Sequence, residues 1–277
     1  MAAETMRLLG AGARLNAIRI LRTREQAIAH TATDFIWHSG EMLAPILVAL
    51  RFGHIGPWPL AAVVFMLAYG AVVSSLLDAA GDSPWHLSQR IGRGQLDHYL
   101  VQPQPLWRIM LTEGFTPFDF WPVLTLGLVL MAWSVAQLHV TVSPGWLGLL
   151  GINLLASMAV QTAFLYSWGC LAFWAPRGAE EVSSAASGLI GKVSFPLDPV
   201  PRALRVVLIS AVPSGLLSWL PSRALLHVAG AGPIDAWITP LAAIVLGALA
   251  LFLFRLGLRE YRRTGSRRYT DHGHRRR

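Results

Sequence analysis

Cysteine occurs once in the 277 residues, at Cys170, so the chain can form neither an internal disulfide nor a cysteine metal cluster. Lysine also occurs once, at Lys192, and arginine carries nearly all the positive charge, a bias for which genome base composition accounts. Charge of either sign is scarce. Only 14% of the residues are charged, against about 25% in a typical soluble domain, which leaves little with which to cover a water-facing surface. The net charge of +8 and the pI of about 10.7 raise the question of nucleic acid. The arginines, however, gather at the two chain ends and in particular loops, a placement that suits anionic lipid and membrane topology and argues against nucleic acid. Residues 1–26 hold no run of 7–15 apolar residues followed by a small-residue cleavage site, so no cleaved signal peptide is expected.

What is present is apolar. Hydrophobic residues make up 54% and the mean hydropathy is +0.48. A helix needs about 20 residues to cross roughly 30 Å of hydrocarbon. Six stretches are read as spans: 31–51, 58–78, a third within 106–138 that is most apolar over 118–138, 146–174, 203–222 and 236–258. Trp58, Trp107, Trp146, Trp174 and Trp237 fall near their ends, where indole rings favour the interface. The expected fold is all-α: a six-span domain over 31–258, preceded by an amphipathic, interfacial helix over 1–30 and followed by a basic tail over 259–277. Pro213 is expected to kink the fifth span. The stretch 178–193, GAEEVSSAASGLIGKV, is too polar for a span and is read as a second cytoplasmic or interfacial helix.

Arginine and lysine alternate between loops. The N-terminal arm has Arg7, Arg14, Arg19, Arg22 and Arg24, the 79–105 loop has Arg90 and Arg93, and the 175–205 stretch has Arg177, Lys192, Arg202 and Arg205, whereas 139–145 has none. The positive-inside rule then places both termini in the cytoplasm. The cytoplasmic 79–105 loop contains IGRGQLDHYLVQPQP (91–105). Gln95 to Gln102 is expected to make about two helical turns, with Gly92 and Gly94 loosening its approach and Pro103 ending it. Leu96, Tyr99 and Leu100 share one face. That face is read as exposed and wanting a partner; the alternative is an interfacial helix resting on lipid.

No nucleotide or catalytic site is expected in the chain. The nearest phosphate-loop lookalike, Ser187 to Val193, has Ala186 where the first glycine belongs and Val193 where the hydroxyl belongs, so the backbone cradle and the Mg²⁺ ligand both fail. There is no G-x-S-x-G elbow and no H-E-x-x-H. His272 and His274 lie in a basic stretch and make no convincing metal site.

The stretch RIGRGQLDHYLVQPQPLWRIM resembles the cytoplasmic loop of ABC transporter permeases of the type 2, exporter-like class. It is similar in particular to a bacterial six-span subfamily with G-x-L-D-x-Y-L-x-x-P, here Gly94, Leu96, Asp97, Tyr99, Leu100 and Pro103. LAFWAPRGAEE and FPLDPVPRALRVVLISAVPSGLLSWLPSRALL agree, through Phe173–Trp174, Phe195–Pro196 and Pro221 to Leu225. The resemblance implies a permease in the bacterial cytoplasmic membrane that catalyses nothing itself. It implies ATP and Mg on a separate ABC ATPase, present in two copies, and a second permease, either a related chain or a homodimer mate. The 91–103 segment would then be the coupling helix on which the ATPase acts. Anionic lipid remains a partner of the basic ends. The rival is a stand-alone proton-coupled transporter working through Asp34, His38, Glu41 or Asp119.

Those ionisable residues are costly in a span. Asp34, His38 and Glu41 share a face of the first span, and are read either as a path-facing set or, preferably, as an interfacial set paired with arginines of the arm. Glu113 and Asp119 enter the third span, the second of them deeper. Asn153, Ser157 and Gln161 repeat every four residues in the fourth, a stripe that more often glues helices together than binds cargo.

Overall fold

A computed structural model describes residues 2–80, 83–106, 109–110, 120–192 and 195–265. Among these the chain is nearly all α-helical, with one two-stranded antiparallel hairpin. Helix α1 spans Ala2–Arg22 and α2 spans Arg24–Phe52, so the break falls at Thr23 and residues 24–30 already belong to the helix of the first predicted span. Gly53, at φ 79°, ends α2 in a left-handed conformation open to glycine. The chain then forms β1 (His54–Ile55) and β2 (Trp58–Pro59), with His54 opposite Pro59.

Helix α3 (Leu60–Ala80) leads away from the hairpin, and α4 (Ser83–Gly92) and α5 (Gln95–Leu100) lie at its far end. Helix α6 (Trp121–Gln137) comes back along α3, with Gly127 against Val72 and Ala68, and Met131 nearer the hairpin beside Phe65. Helix α7 (Pro144–Gly169) starts at the hairpin end, its first turn closed by Ser143, whose hydroxyl accepts from the Trp146 amide at 3.1 Å. It finishes with Gly169 against Leu87 of α4 and runs into a 3₁₀ turn at Cys170–Phe173.

Helix α8 (Pro176–Lys192) is the first departure from the sequence reading. Ala179, near its start, packs with Leu87, Ile91 and Phe173 at the α5 end, whereas Ile190 packs with Ala49 and Trp58 at the hairpin end. The loop behind it sits on the hairpin itself, since Pro199 lies against Gly56 and Asp198 bonds Trp58. The segment read as an interfacial helix therefore runs the length of the bundle. Its inward residues Ala179, Ser183, Ala186 and Ile190 fall on one stripe and are buried, which leaves the polar ones on the remaining faces.

The stretch 203–222 is the converse. It is two helices, α9 (Arg202–Ser210) and α10 (Trp219–Leu226), joined through the 3₁₀ turn Pro213–Leu216 and bent by 72°. Pro213, expected to kink one span, instead starts the turn after α9 has ended. Both ends of the pair lie at the hairpin end: Asp198 is held there, and the Leu225 carbonyl accepts from the Trp146 ring N–H at 3.1 Å. The turn dips inward until Ser218 faces Gly70, ten residues down α3 from Leu60, or about 15 Å at the helical rise. The pair is a folded-back insertion and not a crossing.

Helix α11 (Asp235–Thr264) returns from the hairpin end to α5, six residues beyond the predicted limit of the last span. Among the described residues three helices are long and apolar enough to cross a membrane: Leu60–Ala80, Pro144–Phe173 and Asp235–Thr264, or four if the bent pair were counted. Trp121–Gln137 is apolar but shorter. Contacts add what length and hydropathy leave out, since α2, α6 and α8 also pass between the two ends.

Candidate functional site

Two places carry the residues singled out by the sequence. One is α5 and its surroundings. Gly92 ends α4, and Gly94 at φ 71° turns the chain into α5, a conformation a side chain would resist. The helix stops at Leu100, two residues short of the expected Gln102, and Pro103 follows on the surface. Leu96 and Tyr99 are buried, at 1% and 6% exposure, with Leu100 partly buried beside them. They pack against Leu87 and Ile91 of α4, the Cys170–Phe173 turn and Tyr261 of α11. The apolar face expected to await a partner is thus covered by the protein's own chain. What α5 presents outward is Gln95, His98 and Val101, the last 79% exposed, with Arg93 just ahead.

Asp97 ties this short helix to the far end of the chain. The Tyr261 hydroxyl donates to Asp97 Oδ1 at 2.6 Å, and the Tyr261 ring meets Phe173 edge-on at 6.0 Å. Phe173 also meets Phe254 at 5.8 Å. α5 therefore contacts the ends of several long helices at once, so a push on it reaches α4, α7 and α11 together.

The second place is an open cavity of about 390 Å³ lined by α2, α3, α7, α8 and the folded-back turn. From α2 come Trp37, His38, Glu41 and Met42; His38 Nδ1 and Glu41 Oε2 stand 3.8 Å apart. From α7 comes Gln161, and from the turn Ser214, Leu217 and Ser218. The cavity extends along α3 from Leu67 to Asp78, so it runs from mid-depth toward the α5 end.

The polar stripe of α7 divides between gluing and lining. Asn153 donates to the carbonyls of Leu149 (3.0 Å) and Ala236 (3.2 Å), joining α7 to α11. Ser157 donates to the Leu216 carbonyl at 3.2 Å and lies 3.1 Å from the Tyr69 hydroxyl, pinning the folded-back turn between α3 and α7. Gln161, one turn on, faces the cavity, and its side-chain oxygen meets no donor among the described residues. The Asp34 side chain, and Glu113, Asp119, His272 and His274, lie outside the described residues.

Asp198 has no counterpart in the sequence reading. Its Oδ2 accepts from the ring N–H groups of Trp58 (2.5 Å) and Trp219 (2.8 Å). Arg223 stands 4.0 Å from it and 3.9 Å from Asp235, and Arg205 donates to the Asp198 and Val200 carbonyls. The partners lie up to 140 positions apart, and no local pattern could have joined them. Among the described residues no cluster of His, Cys, Asp and Glu could hold a metal ion.

A family model described as ABC-2 family transporter protein matches residues 35–265. No curated protein and no solved structure matches the chain.

Proposed function

The chain belongs to the ABC-2 family of transporter proteins, and from that premise we propose that it is the membrane-spanning permease of an ATP-driven exporter in the bacterial cytoplasmic membrane. Six helices, α2, α3, α6, α7, α8 and α11, make the crossings in this reading. The α5 end faces the cytoplasm with both termini, in keeping with the arginine-rich arm and the tail after Arg259. Two copies of an ABC ATPase dock there, carrying ATP and Mg, and the path is completed by a second permease, a related chain or another copy of this one. The basic ends rest on anionic lipid.

One observation supports the reading most: a six-residue helix, bounded by Gly94 and Pro103, is buried on one side and bare on the other at the end where α4, α7 and α11 meet. An ATPase that grips Arg93, Gln95, His98 and Val101 moves those helix ends as one body. Biased motion requires that the nucleotide-bound ATPase grip one arrangement more tightly than the other.

The test is purification of the tagged chain from its native membranes in mild detergent. An ATPase subunit is expected to co-purify, and to be lost from Val101→Asp and His98→Asp variants that remain monodisperse. A chain that comes out alone and moves solute in liposomes without ATP would return the question to proton coupling through His38, Glu41 and the remaining acidic residues.

A further inference from the structure

The cavity has a sidedness of charge. Glu41 and Asp78 contribute carboxylates to its wall, Ser187, Ser214 and Ser218 contribute hydroxyls, and among the described residues no arginine or lysine lines it, the one basic group being His38 at 3.8 Å from Glu41. Gln161, 3% exposed, also lines it, and its buried side-chain oxygen meets no donor among the described residues. A buried acceptor left unpaired is costly and is normally satisfied by something. The remaining wall, with Trp37, Leu67, Ile190 and Leu217, is apolar. Binding sites for small molecules commonly combine such walls with a few polar groups in about 300–1,000 Å³, and 390 Å³ falls in that range.

We propose that this cavity binds an amphipathic ammonium ion: a bulky apolar body against Trp37, Leu67 and Leu217, and an N–H-bearing cationic head shared between the Glu41 carboxylate and the Gln161 oxygen. An ammonium has donors and no acceptor, which is what a wall rich in acceptors, with no arginine or lysine among its described residues, selects. A carboxylate or phosphate head is rejected by the same wall, because it would set like charges beside one another at a partly desolvated site. The inference deepens the exporter reading by naming a cargo class, and it rests on that reading.

The test uses the full-length protein in nanodiscs of zwitterionic phosphatidylcholine, with empty nanodiscs as the blank. Equilibrium dialysis compares three probes with one cage and different heads: aminoadamantane (cationic), adamantanol (neutral) and adamantane carboxylate (anionic). Aminoadamantane is expected to bind at least about tenfold more tightly than the carboxylate, as one charge-assisted hydrogen bond would give. Glu41→Gln is expected to weaken it by about as much, Gln161→Leu by a few-fold, and Glu41→Asp, which keeps the charge, much less. Equal binding of the cationic and anionic cages overturns the proposal, as does unchanged aminoadamantane binding in both Glu41→Gln and Gln161→Leu. Should either variant fail to fold, the comparison of the three cages on the unaltered protein still decides the matter. ATPase retention is scored separately. Loss of charge selectivity with the ATPase still bound removes the cargo class alone, and selective binding without any ATPase removes the energy source alone.

Discussion

The two ends of the bundle are fastened by different chemistry. At the hairpin end the fastening is polar: Trp58 and Trp219 donate to the Asp198 carboxylate, Arg223 stands between it and Asp235, and Arg205 donates to the backbone carbonyls of Asp198 and Val200. At the α5 end the fastening is a pool of apolar and aromatic side chains, Leu87, Leu96, Tyr99 and Phe173 among them, with the Tyr261–Asp97 bond on its edge. A directional polar network has one good arrangement and is expensive when half-made. Apolar contacts are non-directional and keep most of their value through small shifts. The hairpin end is therefore built to hold still and the α5 end to slide, which suits a machine pushed from one side.

Asp198→Leu should do the greatest damage, because it strands two ring N–H donors and takes a carboxylate from Arg223. A loss of about 2–4 kcal/mol is expected, read as a large fall in unfolding temperature in detergent. Gly257→Leu tests the other end by crowding. A side chain there runs into the Phe173 ring, and overpacking of this kind costs about 1–3 kcal/mol, so the same thermal measurement should show a smaller fall. Tyr261→Phe removes a hydroxyl and leaves the ring. It should cost about 1 kcal/mol while lowering transport-coupled ATP hydrolysis more than assembly, since it loosens α5 from α11 without touching the outward face. Val101→Asp should leave stability within about 0.5 kcal/mol, as an exposed change does, and should be read only in ATPase retention. If Asp198→Leu and Tyr261→Phe destabilise equally, the contrast between the two ends is wrong.

Much of the helical order was legible because long apolar runs such as 58–78 and 236–258 leave little choice of structure. The punctuation of α5 was legible as well, because Gly94 and Pro103 act locally. What covers a face is not a local matter. Leu96 and Tyr99 have the same pattern whether a second protein or Leu87 and Phe173 lie against them, and the sequence reading chose the second protein. Likewise 176–192 looked too polar to run through a bundle, since Glu180, Glu181 and its serines lower its average. Its buried stripe of Ala179, Ser183, Ala186 and Ile190 was the available signal, a helical period within a modest mean. The 203–222 stretch failed in the opposite sense: composition suggested a span, and tertiary bonds to Asp198 and Trp146, with Ser218 packed against Gly70, fold it back.

That folded-back turn sets the thickness of the seal above the cavity. Its tip meets α3 about 15 Å below Leu60, close to half of a hydrocarbon layer of roughly 30 Å. In the proposed exporter, a solute resting against Leu217 and Ser218 has about half of that thickness still to cross.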